Sequence, residues 1–238
     1  RRQRQMCIRD RFNLVSYSFL LITSTLVNGA TAFSVPDARP LITPAGYAFL
    51  IWVLIYVLLG IWIIKFGLKS TPYDEGYMKV SLFLPISLLG AGGSLLVGQP
   101  FASLFIVGAF ISAMGSYLSC QHVKTKPLFF RAPFSIYLGW LSIATIIEIS
   151  IVLKAAGFAN LLGLPEVFWA VFILMFAGFI AIAFNISQND FLYPLVFIWA
   201  YIAIGIKNLD QPVIFTICCG VILLIGWMLD RNKNLSSK

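Results

Sequence analysis

Trp140, Ala144 and Glu148 stand at four-residue steps inside an apolar run, residues 131–154, with basic residues at both ends and one carboxylate within it. A helix stacks such a set on one face. An ionisable group inside a membrane span is costly unless it has a partner, water or a task, which makes Glu148 a candidate functional residue. Glu148 lies six residues before Lys154, roughly 9 Å along a helix. Reaching toward the membrane surface, or pairing with a polar group on a neighbouring helix, is therefore an equal alternative. A second set, Trp52, Tyr56 and Gly60, repeats the same step in an earlier run. Aromatic residues near span ends usually anchor at the interface. Trp52 and Trp140 sit well inside their runs, so they either pack in a core or line a cavity for a flat apolar ligand. Spacing alone favours packing.

The elements that must hold these residues follow from composition. The chain has 238 residues, 60% hydrophobic and 11% charged, with a mean hydropathy of +0.91. A soluble domain carries about 25% charged residues, and a single water-soluble core of this size cannot hide so much apolar surface. An integral membrane protein is expected. Apolar runs of about 20 residues without alternation select helices over barrel strands. Eight runs can be drawn, at 12–32, 46–66, 79–98, 100–120, 132–153, 165–185, 191–206 and 212–229. The expected fold class is therefore all-α, a polytopic membrane helix bundle of about eight transmembrane helices. The seventh run is short, with Pro194 near its start, which suits a tilted short helix or a re-entrant one. Connections are brief and rich in turn residues such as Pro36, Pro40, Pro72, Gly76, Pro127, Gly163, Pro165 and Pro212. No connection is long enough for a soluble domain.

The net charge of +8 overstates the basic character of the chain. Residues 1–11, RRQRQMCIRDR, hold five arginines against Asp10 and resemble a translated sequencing adaptor, the alternative being a basic, disordered tail. Removing those five arginines and one aspartate leaves 12 basic and 8 acidic residues, a net of +4. No nucleic-acid footprint remains. With the N-terminus inside, the inside connections hold Lys65, Lys69, Lys79, Lys124, Lys126, Arg131, Arg231, Lys233 and Lys238. The outside connections hold only Arg39, Lys154 and Lys207. Nine against three fits the positive-inside rule, provided the seventh span is kept. The expected location is the inner membrane, with both termini cytoplasmic.

Other chemistry has little support. Cys7, Cys120, Cys218 and Cys219 form no framework of spacings and read as small apolar side chains. Cys120 and His122 are two ligand types without a third nearby, a weak metal signal. His122 is the only histidine, so a hydrolytic triad has nothing to rest on, and no phosphate loop is present. Asp37, Asp74, Glu75, Asp190 and Asp210 read as solvated loop charges. Glu166 follows Pro165 at the start of the sixth run, where an acid suits a helix N-terminus. Asn28 and Asn185 are polar groups in or at the end of spans that could satisfy Glu148 or a ligand. Thr43 reads as a helix N-cap, with Pro44 in the first turn. Gly90, Gly92, Gly93 and Ser94 in the third run, and Gly108, Ser112 and Ser116 in the fourth, mark where helices can meet closely. Packing within the monomer is the favoured use, a homodimer the other.

The two aromatic sets also carry a resemblance. The blocks Pro44-Ala-Gly-Tyr-Ala-Phe-Leu-Ile-Trp52, with Tyr56 and Gly60 after it, and Tyr137-Leu-Gly-Trp140, with Ala144 after it, resemble the translocator-protein family, or tryptophan-rich sensory proteins (TspO/MBR). Glu148 stands where that family usually has Asn. The resemblance implies a five-helix core over 12–155, followed by three additional transmembrane helices at 156–229 and a cytoplasmic tail at 230–238, as in a longer bacterial branch. It implies an interior pocket for a porphyrin, sterol or similar apolar molecule, capped by the loop 33–43. The implied ligand-binding set is Trp52, Tyr56, Tyr137, Trp140, Ala144 and Glu148. The sterol pattern after the fifth helix needs Tyr where Ile149 stands.

The expected function is a membrane sensor-like protein that binds an apolar ligand, a haem-like or other tetrapyrrole for example, with lipid and an apolar small molecule as partners. A neutral, buried Glu148 would suit a proton-coupled secondary transporter, the alternative reading. An enzyme that degrades porphyrin is a third, lesser reading, and no metal or certain cofactor is expected.

Overall fold

A computed structural model describes residues 2–27, 39–67, 72–121, 123, 128–157 and 163–236, and the side chains of 8–27 and 163–232 within its first and last stretches. Among these residues there are eight α-helices, one 3-10 turn and no strand. The helices are α1 (Arg2–Val27), α2 (Ile51–Gly67), α3 (Asp74–Ser94), α4 (Phe101–Gln121), α5 (Leu128–Ala155), α6 (Glu166–Gln188), α7 (Leu192–Lys207) and α8 (Pro212–Ser236). The 3-10 turn, Gly46–Leu50, leads directly into α2. Five of these segments are long and apolar enough to cross a membrane: Gly46–Gly67, Phe101–Gln121, Leu128–Ala155, Glu166–Gln188 and Pro212–Asn232. The chain is thus an all-α, polytopic membrane bundle. Hydroxyl residues and charges dilute α1, and glycine, serine and Lys79 dilute α3, so neither joins that set.

The described chain forms two compact units, Arg1–Ser34 with Ile51–Thr145, and Val35–Leu50 with Ile146–Lys238. In the first unit small residues bring helices close, as lipid-embedded packing requires. A Cβ at Gly90 would lie 3.0 Å from the Phe105 carbonyl oxygen and 3.1 Å from Ala109 Cβ on α4. One at Gly92 would lie 2.9 Å from the Phe19 ring and from Thr23 Oγ1 on α1. Gly108, in contrast, has nothing within 4 Å of its Cβ position and is exposed, so α4 meets α3 through Ala109, against Gly90, and Gly115, against Phe83, instead. Because backbone lies against Gly90, a side chain there can be accommodated only by moving α3 from α4. Gly90→Val is expected to cost between about 1 and 2 kcal/mol, read as a lowered melting temperature of the detergent-solubilised protein.

The deepest part of this unit is aromatic. Trp62 is fully buried, stacked on Tyr77 at 5.0 Å and edge-on to Phe134 at 4.8 Å, with Phe130 at 5.6 Å. Its indole Nε1 donates to the Phe130 carbonyl at 3.0 Å. From α1, Asn13 Nδ2 donates to the Tyr77 phenol oxygen at 2.9 Å and to Ser81 Oγ at 2.7 Å.

In the second unit α6 and α7 run antiparallel for the whole length of α7. At one end Tyr193 stacks on Phe184 at 3.9 Å. At the other, Asn208 Nδ2 donates to the Leu41 carbonyl at 3.0 Å, while the Leu41 N–H donates to Glu166 Oε1 at 3.2 Å. Sixteen residues make α7, about 24 Å of helix. The α6–α7 turn is held by Asn189 in the left-handed region (φ 47°) and by Asp190, whose Oδ1 accepts the Leu192 N–H at 2.9 Å and the Tyr193 N–H at 3.4 Å. Asp190 is fully buried and is not the solvated loop charge that its place in a connection suggests. Its carboxylate satisfies first-turn N–H groups that lipid cannot. Asn185 Nδ2 donates to the Asp190 carbonyl at 2.9 Å, and its Oδ1 accepts from Asn232 Nδ2. It is therefore engaged at this turn rather than with Glu148.

Candidate functional site

Helix α2 places Trp52 and Tyr56 one turn apart, and their rings stack at 5.5 Å with 28° between planes. Tyr137 of α5 meets the Trp52 ring edge-on at 6.2 Å. Both phenols are oriented by serines. Tyr56 Oη is 2.6 Å from Ser24 Oγ on α1. Tyr137 Oη is 2.9 Å from Ser87 Oγ on α3, and that serine donates its one proton to the Ala109 carbonyl at 2.8 Å. The Tyr137 hydroxyl is therefore the donor to Ser87 and keeps its own lone pairs as acceptors. The Tyr56 backbone carbonyl accepts from Tyr17 Oη at 2.7 Å. Gly60 makes room for this contact, because a Cβ there would come within 2.6 Å of the same phenol oxygen. The four-residue step Trp52–Tyr56–Gly60 thus has two outcomes: a ring pair at its start and a small position at its end that admits α1.

Trp52 is half-buried. The indole nitrogens of Trp62 and Trp199 have carbonyl acceptors, Phe130 at 3.0 Å and Ala48 at 2.9 Å. Among the described residues no acceptor meets the Trp52 indole N–H. Trp140 is 1% exposed, and Ala144 is half-buried. These residues, with Trp52, Tyr56 and Tyr137, belong to the first unit, whereas Glu148 belongs to the second and is half-buried. The structure therefore brings three of the six expected residues together, with the Trp52 ring meeting both Tyr56 and Tyr137.

Sequence reasoning passed over Ser24 and Ser87. The signal was present, since a hydroxyl inside an apolar run must bond back to its own helix or find a partner. It also left Glu166 as a helix-start acid. In the second unit Lys154 Nζ donates to both Glu166 oxygens, at 2.9 and 3.0 Å. Lys154 therefore has Glu166 as its carboxylate. Thr43 does not cap a helix: its Oγ1 is buried without a hydrogen-bond partner, and the helical turn begins only at Gly46. Cys120 and Cys218 are buried and form no disulfide among the described residues, and Cys219 is half-buried. His122, Asn28, Lys69, Lys124, Lys126, Pro127 and most of the loop 33–43 lie outside the described residues.

Long apolar helices, internally paired serines and tyrosines, and an aromatic set on α2 and α5 tied to α1 and α3 define a multi-pass helical membrane protein. A family model described as TSPO-like protein matches residues 11–229, nearly the whole chain, and the chain belongs to that family. Comparison with curated proteins and with solved structures found no match.

Proposed function

We propose that this TSPO-like membrane protein binds a flat, largely apolar molecule of the tetrapyrrole class against Trp52, Tyr56 and Tyr137, with Trp140 and Ala144 shaping the same unit. The observation that carries the reading is the Trp52 indole. It is half-buried, flanked by two rings whose hydroxyls are already oriented, and its N–H has no acceptor among the described residues. In a membrane interior an unmet donor is costly, and a bound molecule with a ring face and an acceptor atom would meet both needs at once. Family membership supports the same class of protein. Titration of the purified protein with protoporphyrin IX, followed by quenching of tryptophan fluorescence, tests the site. Trp52→Leu is expected to weaken binding about tenfold, the equivalent of one ring contact and one hydrogen bond. Equal affinity in Trp52→Leu and wild type would dismiss the proposal.

An inner-membrane location with both termini cytoplasmic is part of this reading. It draws support from the three cations assigned to outside connections, Arg39, Lys154 and Lys207, which meet at one end of the second unit. The full-length antiparallel course of α7 beside α6 supports counting the seventh segment as a span.

A further inference from the structure

The three outside cations do more than share an end of the second unit. All of them meet the segment that runs from Arg39 to Thr43. Lys154 Nζ donates to the two Glu166 oxygens and, at 3.1 Å, to the Arg39 carbonyl. Those contacts occupy its three donors. Lys207 Nζ donates to the Thr43 carbonyl at 3.1 Å. Among the described residues Lys207 has no carboxylate within ion-pair distance, so an ammonium with three N–H groups meets one neutral acceptor. Among the described residues Glu166 is the carboxylate paired here, and it already serves Lys154 and the Leu41 N–H. Thr43 is 2% exposed and its hydroxyl is unpartnered.

Position decides what kind of ion this surplus would attract. α5 and α7 end here and α6 begins here, so the cluster lies where apolar helices leave the hydrocarbon. The commonest anion at that level is phosphate, and a lysine binds it as a point charge. Lys207 itself is exposed, and Arg39 and Lys154 place two further positive charges beside it.

We propose that Lys207, with Arg39 and the Lys154–Glu166 pair beside it, forms a binding site for one phosphate group, carried by an anionic phospholipid or free in solution. The site belongs to the second unit and does not depend on the ligand reading of the first.

Native mass spectrometry of the full chain in detergent tests it, with phosphatidylglycerol in one arm and inorganic phosphate in the other. Wild type is expected to retain one tightly held adduct, and Lys207→Gln to weaken it about fivefold to tenfold, the loss of one surface cation. Lys207→Arg is expected to restore it. Retention of phosphatidylglycerol that phosphate does not displace identifies a lipid headgroup; displacement by phosphate identifies the free ion. Should Lys207→Gln fail to fold, Arg39→Gln is measured in the same way. Adducts of both kinds held equally by wild type and the folded variant would overturn the site.

Discussion

Trp62→Ala is expected to destabilise the detergent-solubilised protein by about 3–5 kcal/mol, the range for removing a large buried aromatic side chain. Three features place it there. The side chain is fully buried and meets rings from α3 and α5 as well as Phe66 of its own helix. Its loss leaves the Phe130 carbonyl without the indole donor. The Tyr77 phenol, which accepts from Asn13, loses the ring that holds it in place. In lipid the driving force is packing rather than escape from water, so the cost comes from the void and from broken contacts. Trp62→Phe keeps part of the ring surface but not the donor and should fall between. Thermal or denaturant unfolding in a fixed detergent gives the values. A loss below about 1 kcal/mol in Trp62→Ala would mean that the aromatic cluster collapses freely, against close packing.

Glu166→Ala is the second large effect, expected at about 2–3 kcal/mol, the cost of leaving a charged hydrogen-bond partner unmet in a partly buried place. The side chains of Lys154 and Glu166 are 24% and 31% exposed, so solvent screens the pair only in part. Removing the carboxylate frees the Lys154 ammonium beside Arg39 and Lys207 and takes the acceptor from the Leu41 N–H. It also removes an acid from the start of α6, where the helix dipole favours one. Glu166→Gln, which can still accept from Leu41, should cost less. The double variant Glu166→Ala, Lys154→Met should recover part of the loss, since no cation is then stranded. Equal stability of Glu166→Ala and wild type in unfolding experiments at low salt would show that the pair holds nothing.

Much of the fold was legible because membrane helices announce themselves by length without alternation. The described helices begin within a few residues of the apolar runs. They differ most at α1, which opens at Arg2 rather than at residue 12, so the basic stretch expected as a disordered tail is helical from its second residue, and next at α3, which opens at Asp74 rather than at residue 79. Hydropathy marks what lipid tolerates, whereas the helix continues through Asp74 and Glu75, acids that suit its positive end. The Trp52–Tyr56 stack was legible from a single four-residue step. Tyr137 was not, because its place beside Trp52 is set by how α5 packs on α2, and only the family blocks drew attention to it. Ser24 and Ser87 escaped notice because serine is common in such runs and only the third dimension shows which hydroxyl finds a phenol. Asp190 was misread for a related reason. A carboxylate in a three-residue turn is solvated unless it folds back onto the next helix, and sequence does not tell these cases apart.

The hydrogen bonds of residues 39–50 have a bearing on how the gene can be divided. This stretch precedes α2 in the chain, yet its carbonyls at Leu41, Thr43 and Ala48 receive Asn208, Lys207 and Trp199, and the Ala45 N–H reaches the Ala203 carbonyl at 3.2 Å. The C-terminal helices are therefore not a detachable appendix. A fragment cut before α6 strands the interhelical loop, and the complementary fragment lacks its acceptors. Loss of the last three helices would take the donors Trp199, Lys207 and Asn208 from the carbonyls of Ala48, Thr43 and Leu41.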